Sequence, residues 1–241
     1  MASIISDPRI LLLAFIGGSI PALLWLWFWL KEEENPEPKG LMAIVFIMGM
    51  IAVVATIPVE KFIQDNTSAG SIQVILWAST EEIMKFLAVL LIIGKSKRIS
   101  KPIDWPIFMI TAALGFATLE NTFFLLKPLS AGGNIMSILA ATSLGQLRFL
   151  GANLLHAVSS ATIGISIGLS FYMDELKQRW FLLAGFLAAI SLHSIFNFFI
   201  MKDSSIDVLQ SFSLLWVITI IVMLIFEKVR RMSEVSEKII N

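Results

Sequence analysis

Long apolar runs separated by short polar stretches set the pattern of this chain. Seven runs of about 20 residues are each long enough to cross roughly 30 Å of hydrocarbon as a helix. They cover residues 10–30, 40–59, 71–94, 106–126, 149–172, 180–201 and 208–226. The first reads as a true span, because its apolar part is too long for a cleavable signal and no small-x-small site precedes the polar stretch after it. That stretch, the acidic segment 32–37, reads as a solvated turn. Residues 135–172 are too long for one crossing and too short for two. Residues 135–147 are therefore read as an interfacial or re-entrant piece, with Arg148 at the boundary of the fifth span. The expected fold is all-α: one polytopic transmembrane domain over 1–241, with seven helices, or eight if 135–147 counts as one.

Composition sharpens this picture. Of 241 residues, 57% are hydrophobic and 15% charged, against about 45–50% and 25% in soluble domains. No cysteine is present, which excludes a disulfide scaffold and any thiolate metal site. The formal net charge is zero, so no basic field draws the protein to nucleic acid. Lysines and arginines set the orientation. Twelve of them (Lys31, Lys39, Lys95, Lys97, Arg98, Lys101, Lys177, Arg179, Lys228, Arg230, Arg231 and Lys238) fall on one side. Four (Arg9, Lys61, Lys127 and Lys202) fall on the other. The N-terminus is predicted outside, the C-terminus in the cytoplasm, and the location the cell membrane. Trp25, Trp27, Trp29, Trp105 and Trp180 fall at predicted cytoplasmic span ends, where amphipathic rings prefer to lie.

A charged side chain at the centre of a membrane helix costs about 2.5–3.5 kcal/mol, so each one needs a partner or a task. Here they are Glu81, Glu82 and Lys85 in the third span, Glu120 in the fourth, His156 in the fifth and His193 in the sixth, with Asn121 and Asn197 beside them. At about 1.5 Å of rise per residue, Glu81, Glu120, His156 and His193 all lie roughly 9–15 Å below the outer surface. Four helices running in alternating directions have no reason to match depths by chance, so the coincidence marks a single site between the third, fourth, fifth and sixth helices. Glu81 and Lys85 share a helix face, as do His193 and Asn197, while the adjacent Glu81 and Glu82 point about 100° apart. Pairing of Glu82 with Lys85 would leave Glu81 available.

Two histidines plus a carboxylate or amide oxygen can make a zinc site with one position open for water. Such a metal lowers the pKa of bound water towards about 7, and a nearby glutamate can act as general base. Structural alternatives stand beside this reading. Either histidine can simply hydrogen-bond between helices. Glu82 with Lys85 can be an ion pair that holds helices, and Arg148 an interfacial anchor. Gly151, Ser160, Gly164 and Gly168 read as small residues for close helix packing. No His-Glu-x-x-His helix and no aspartate in the spans is found, which removes those hydrolytic chemistries.

Four motifs occur in order on successive spans: Glu81-Glu82-Ile83-Met84-Lys85, Gly115-Phe116-Ala117-Thr118-Leu119-Glu120-Asn121, Arg148 followed by His156, and His193-Ser194-Ile195-Phe196-Asn197. Together they resemble the PrsW family of intramembrane proteases, over roughly residues 71–201. That family is distantly similar to the CAAX prenyl endopeptidases. The resemblance implies peptide hydrolysis within the membrane, near its outer face, on membrane-anchored proteins, anti-sigma factors being one class. It implies a catalytic group of Glu81 (the general base), Glu82, Lys85 and Glu120. His156, His193, Asn197 and Glu120 would surround a zinc ion or the water, with Asn121 and Arg148 in support. The rivals are a proton- or ion-coupled transporter using the same residues as a relay, and a non-catalytic membrane scaffold.

Overall fold

Seven helices and no strands make up the described residues: α1 (Pro8–Leu30), α2 (Lys39–Asn66), α3 (Ser71–Ile93), α4 (Asp104–Ser130), α5 (Ile135–Leu169), α6 (Glu175–Ile200) and α7 (Ser205–Ile240). The computed structural model describes the backbone of residues 8–31, 37–94, 99–130, 135–200 and 205–240. It describes their side chains except those of 127–128, 135–150, 199–200, 205–211 and 234–240. Most of the acidic segment, 32–36, lies outside the described residues.

Six of the helices contain a segment long and apolar enough to cross a membrane. The seventh, α3, is 23 residues long but carries Glu81, Glu82 and Lys85. One expectation is corrected. Residues 135–147 form no separate interfacial or re-entrant piece; they are the first turns of α5, a continuous helix of 35 residues. At about 1.5 Å per residue, α5 is roughly 50 Å long and overshoots the hydrocarbon core. The stretch contains no proline that would break it, so the helix simply runs on.

Local chemistry fixes the ends that matter. The Asp104 carboxylate accepts the backbone N–H groups of Ser100 (2.8 Å) and Lys101 (2.9 Å), closing the turn that leads into α4. Pro106 in the first turn of α4 loses nothing, because that N–H has no helical partner. At the end of α3, the Gly94 N–H reaches the Leu90 carbonyl at 2.8 Å.

The bundle is built around α4 and α5, whose apolar segments are 72% and 78% buried, against 17–33% for α1, α2, α6 and α7. Those outer helices expose Leu12, Leu24, Ile44, Ile51, Leu187 and Leu224, side chains that only a lipid environment would favour in such number. Around the interior, α2, α3, α6, α5 and α4 touch in that order and close a ring. Small residues let the central helices approach. A methyl group added at Gly49 would strike the Ala112 carbonyl, and one at Gly115 the Phe46 carbonyl, so α2 and α4 cross backbone to backbone. Gly164 and Gly168 bring α5 against Pro106 and Pro102 in the same way.

Gly49→Ala and Gly115→Ala are therefore expected to destabilise the protein by about 1–3 kcal/mol each, as overpacked core sites do. Gly40→Ala, with nothing within 4 Å of the added methyl, should not. Thermal unfolding in detergent checks this, and equal midpoints for all three variants would contradict the crossing.

Candidate functional site

The third to sixth helices carry their polar side chains to one place. On α3, Glu81, Glu82 and Lys85 are spaced so that Lys85 reaches back one turn to both acids. Its ammonium donates to Glu82 Oε1 at 2.8 Å and to Glu81 Oε2 at 3.4 Å. It also lies 2.8 Å from His156 Nδ1 and 4.4 Å from the centre of the Phe116 ring. Lys85 is completely buried, so these contacts replace all of its hydration.

The partners determine the histidine tautomers. An ammonium can only donate, so His156 Nδ1 accepts from Lys85 and the ring proton sits on Nε2. From there it is donated to Glu120 Oε2 at 2.7 Å. His193 has the opposite arrangement. Its Nδ1–H donates to Glu82 Oε1 at 2.9 Å, which leaves the lone pair on Nε2, 3.6 Å from Glu81 Oε2. The two imidazoles stand edge to face, 5.1 Å between centres.

Glu82 is fully enclosed and accepts three donors, from Lys85, His193 and Ser160, the last at 2.7 Å. Its lone pairs are committed. Glu81 holds only the long contact from Lys85, and its Oε2 is 3.7 Å from His156 Nδ1. Glu81, His156 and His193 each offer a ligand atom within 4.8 Å of the others, and all three are buried. A cavity of about 680 Å³ opens over them. Its walls come from α2, α3, α4, α5 and α6, and its rim includes the exposed Lys61, Gln64 and Asp65 at the end of α2.

This donor set fits a divalent metal. Two imidazoles and a carboxylate are typical catalytic zinc ligands, and His193 is held by a carboxylate through its other nitrogen, as metal-binding histidines usually are. For His156 to join through Nδ1, Lys85 must release that nitrogen.

Glu81, Glu82, Lys85, Glu120, His156 and His193 thus form one connected network. Asn197 lines the cavity one turn beyond His193. Asn121 is buried, with no hydrogen-bond partner for its Nδ2 among the described residues, and is not among the residues lining the cavity. Arg148 lies on α5 about two turns before His156; its side chain is outside the described residues. Two contributors were not singled out as chemical from the sequence. Ser160 read as a packing residue, yet its hydroxyl holds Glu82. Glu60 fell one residue past the expected end of the second span, yet α2 continues to Asn66 and carries Glu60 into the cavity wall. The absence of a breaker between Val59 and Asn66 was the available signal.

A bundle of membrane-crossing helices enclosing a His, His and Glu cluster under an open cavity defines a class: polytopic membrane proteins with an intramembrane polar site suited to hydrolysis. A family model described as PrsW family intramembrane metalloprotease matches residues 37–226. The chain belongs to that family and is an intramembrane peptidase, which sets aside the transporter and the inert scaffold. It is 24% identical over 189 residues to Protease PrsW of Geobacillus kaustophilus, an overlap covering 77% of this chain and 78% of that one. It is 26% identical over 181 residues to Protease PrsW of Halalkalibacterium halodurans, covering 73% and 78%. With Protease PrsW of Bacillus subtilis the figures are 22% over 187 residues, covering 76% and 80%. No solved structure gives a significant match.

Removing Glu82 strands a buried ammonium, so Glu82→Ala should cost about 3–5 kcal/mol of stability, as breaking a buried ion pair does. Glu81→Gln, which removes only a 3.4 Å contact, should cost far less. Thermal unfolding of the two variants in detergent measures the difference, and equal losses would contradict the distinct roles of the two acids.

Proposed function

We propose that the cavity hydrolyses a peptide bond of a membrane-anchored protein through a water that Glu81 deprotonates. The observation that carries this reading is the convergence of Glu81, His156 and His193, from three different helices, beneath a single open cavity. Glu81 is the base because it is the least committed carboxylate of the network: Glu82 accepts three donors, and Glu120 is bonded to His156. Glu82 and Lys85 act as positioning residues, Glu82 by orienting His193 and Lys85 by holding both acids.

His156 and His193 would hold a divalent metal, zinc being the expected ion, with an oxygen from Glu120 or Asn197; Glu81 lies close enough to serve as a ligand instead. When bound, the metal lowers the pKa of water and polarises the carbonyl under attack. Glu81 takes the water's proton and can return it to the leaving amine, and Asn197 at the cavity wall can hydrogen-bond the substrate backbone. Asn121 and Arg148 are assigned supporting roles.

The excess of basic residues on one side supports an orientation in the cell membrane with the cavity mouth outward and the C-terminus in the cytoplasm. One transmembrane domain would then cut its substrate near the outer face. Anti-sigma factors are one class of anchored protein suited to such a cut.

Glu81→Gln is expected to lower cleavage of a single-span reporter by about 10²–10⁴-fold, the usual worth of a general base, while the purified variant keeps its bound metal. Loss of metal from Glu81→Gln would reassign Glu81 as a ligand. The double variant His156→Ala, His193→Ala should contain no bound metal by elemental analysis, and full retention would overturn the histidine ligands.

A further inference from the structure

One intramembrane carboxylate has no place in the network. Glu60, on α2, is half-buried in the wall of the same cavity as Glu81 and Glu120. No cation among the described residues lies within ion-pair distance of it, whereas Glu81, Glu82 and Glu120 each have a partner. Its backbone is fixed relative to the site. The Trp77 indole N–H donates to the Glu60 carbonyl at 3.2 Å, and Trp77 lies one turn from Glu81 on the same face of α3.

Height along the cavity follows from the helical rise. The end of α2 and the start of α3 are joined by residues 67–70, which keeps the two ends close in level. Glu60 is six residues from Asn66, roughly 9 Å below that level, and Glu81 is ten residues from Ser71, roughly 15 Å below it. Glu60 therefore stands about 6 Å nearer the mouth than Glu81. An extended peptide advances about 3.3 Å per residue, so this offset corresponds to about two residues of a bound substrate. A half-buried carboxylate with no cation among the described residues within ion-pair distance favours a positively charged group at that height.

We propose that Glu60 is a specificity-determining residue, which binds a lysine or arginine of the substrate lying one to three residues from the cleaved bond on the side of the cavity mouth. The inference rests on the protease reading above. It concerns the substrate and leaves the assignment of base and ligands as they stand.

The test uses the full chain in proteoliposomes and single-span fluorogenic reporters carrying Lys, Gln or Glu at each of the three positions on the mouth side of the cut. The unaltered chain should prefer the Lys reporter over the Gln reporter by about tenfold in kcat/KM at one position, expressed mainly in KM, as one desolvated charge pair would give. Glu60→Gln should bring that ratio close to one, and Glu60→Lys should shift the preference to the Glu reporter. A merely structural role for Glu60 would change all reporters alike. Absence of a Lys preference in the unaltered chain, or its persistence in Glu60→Gln, overturns the inference while the protease reading stands. Failure of the unaltered chain to cleave any reporter overturns both.

Discussion

The buried ammonium of Lys85 constrains more of this structure than any other group. In a membrane interior an unpaired charge is expensive, and a fully enclosed one can persist only if every proton finds an acceptor. Lys85 meets this condition with Glu82, Glu81 and His156. His156 arrives on α5, and Glu82 in turn needs His193 from α6 and Ser160 from α5. The charge on α3 therefore specifies which faces of its neighbours must point inward. The network that makes this charge tolerable is the one that sets the histidine tautomers. The cost of burial and the preparation of the site are a single piece of chemistry.

The division between the two adjacent glutamates follows from this constraint. Neighbours on a helix point about 100° apart, so Glu82 faces into the packed junction and Glu81 faces the cavity. Glu82 accepts three donors and fixes geometry; Glu81 holds only the long contact from Lys85. The close crossing of α2 on α4, made possible by Gly49 and Gly115, makes α2 one wall of the cavity over the histidines. Phe116, Phe123 and Phe196 line that space with apolar surface, between the polar rim at the end of α2 and the Glu81, His156 and His193 group. The membership of the chain in the PrsW family agrees with a site of this form.

Much of this was legible in the sequence, for reasons that can be stated. Apolar length alone indicated seven helices, because lipid demands about 20 apolar residues and allows few polar exceptions. The exceptions then showed their own convergence: depth arithmetic on Glu81, Glu120, His156 and His193 needs only the helical rise. What could not be read was rotation and partner choice. Nothing in the spacing says that Glu120 would bond His156, or that Glu82 would turn toward Ser160, because those contacts depend on how α4 and α5 rotate against α3. Ser160 was read as a packing residue since serine fits both roles, and Glu60 was passed over because hydropathy ends a span where the helix does not. The stretch 135–147 failed for the same reason: length argued for a break, but the local sequence contains nothing that would make one.

In the proposed mechanism, two imidazoles from separate membrane helices, with one further oxygen from Glu120 or Asn197, hold a catalytic divalent metal. An X-ray absorption spectrum at the zinc edge, recorded on the purified full chain from a preparation that cleaves a reporter, tests it most directly. The account predicts about one zinc per chain, nitrogen and oxygen ligands at about 2.0–2.1 Å, and the outer-shell scattering of two imidazole rings. A cleaving preparation that contains no stoichiometric metal, or a spectrum without imidazole scattering, would contradict it.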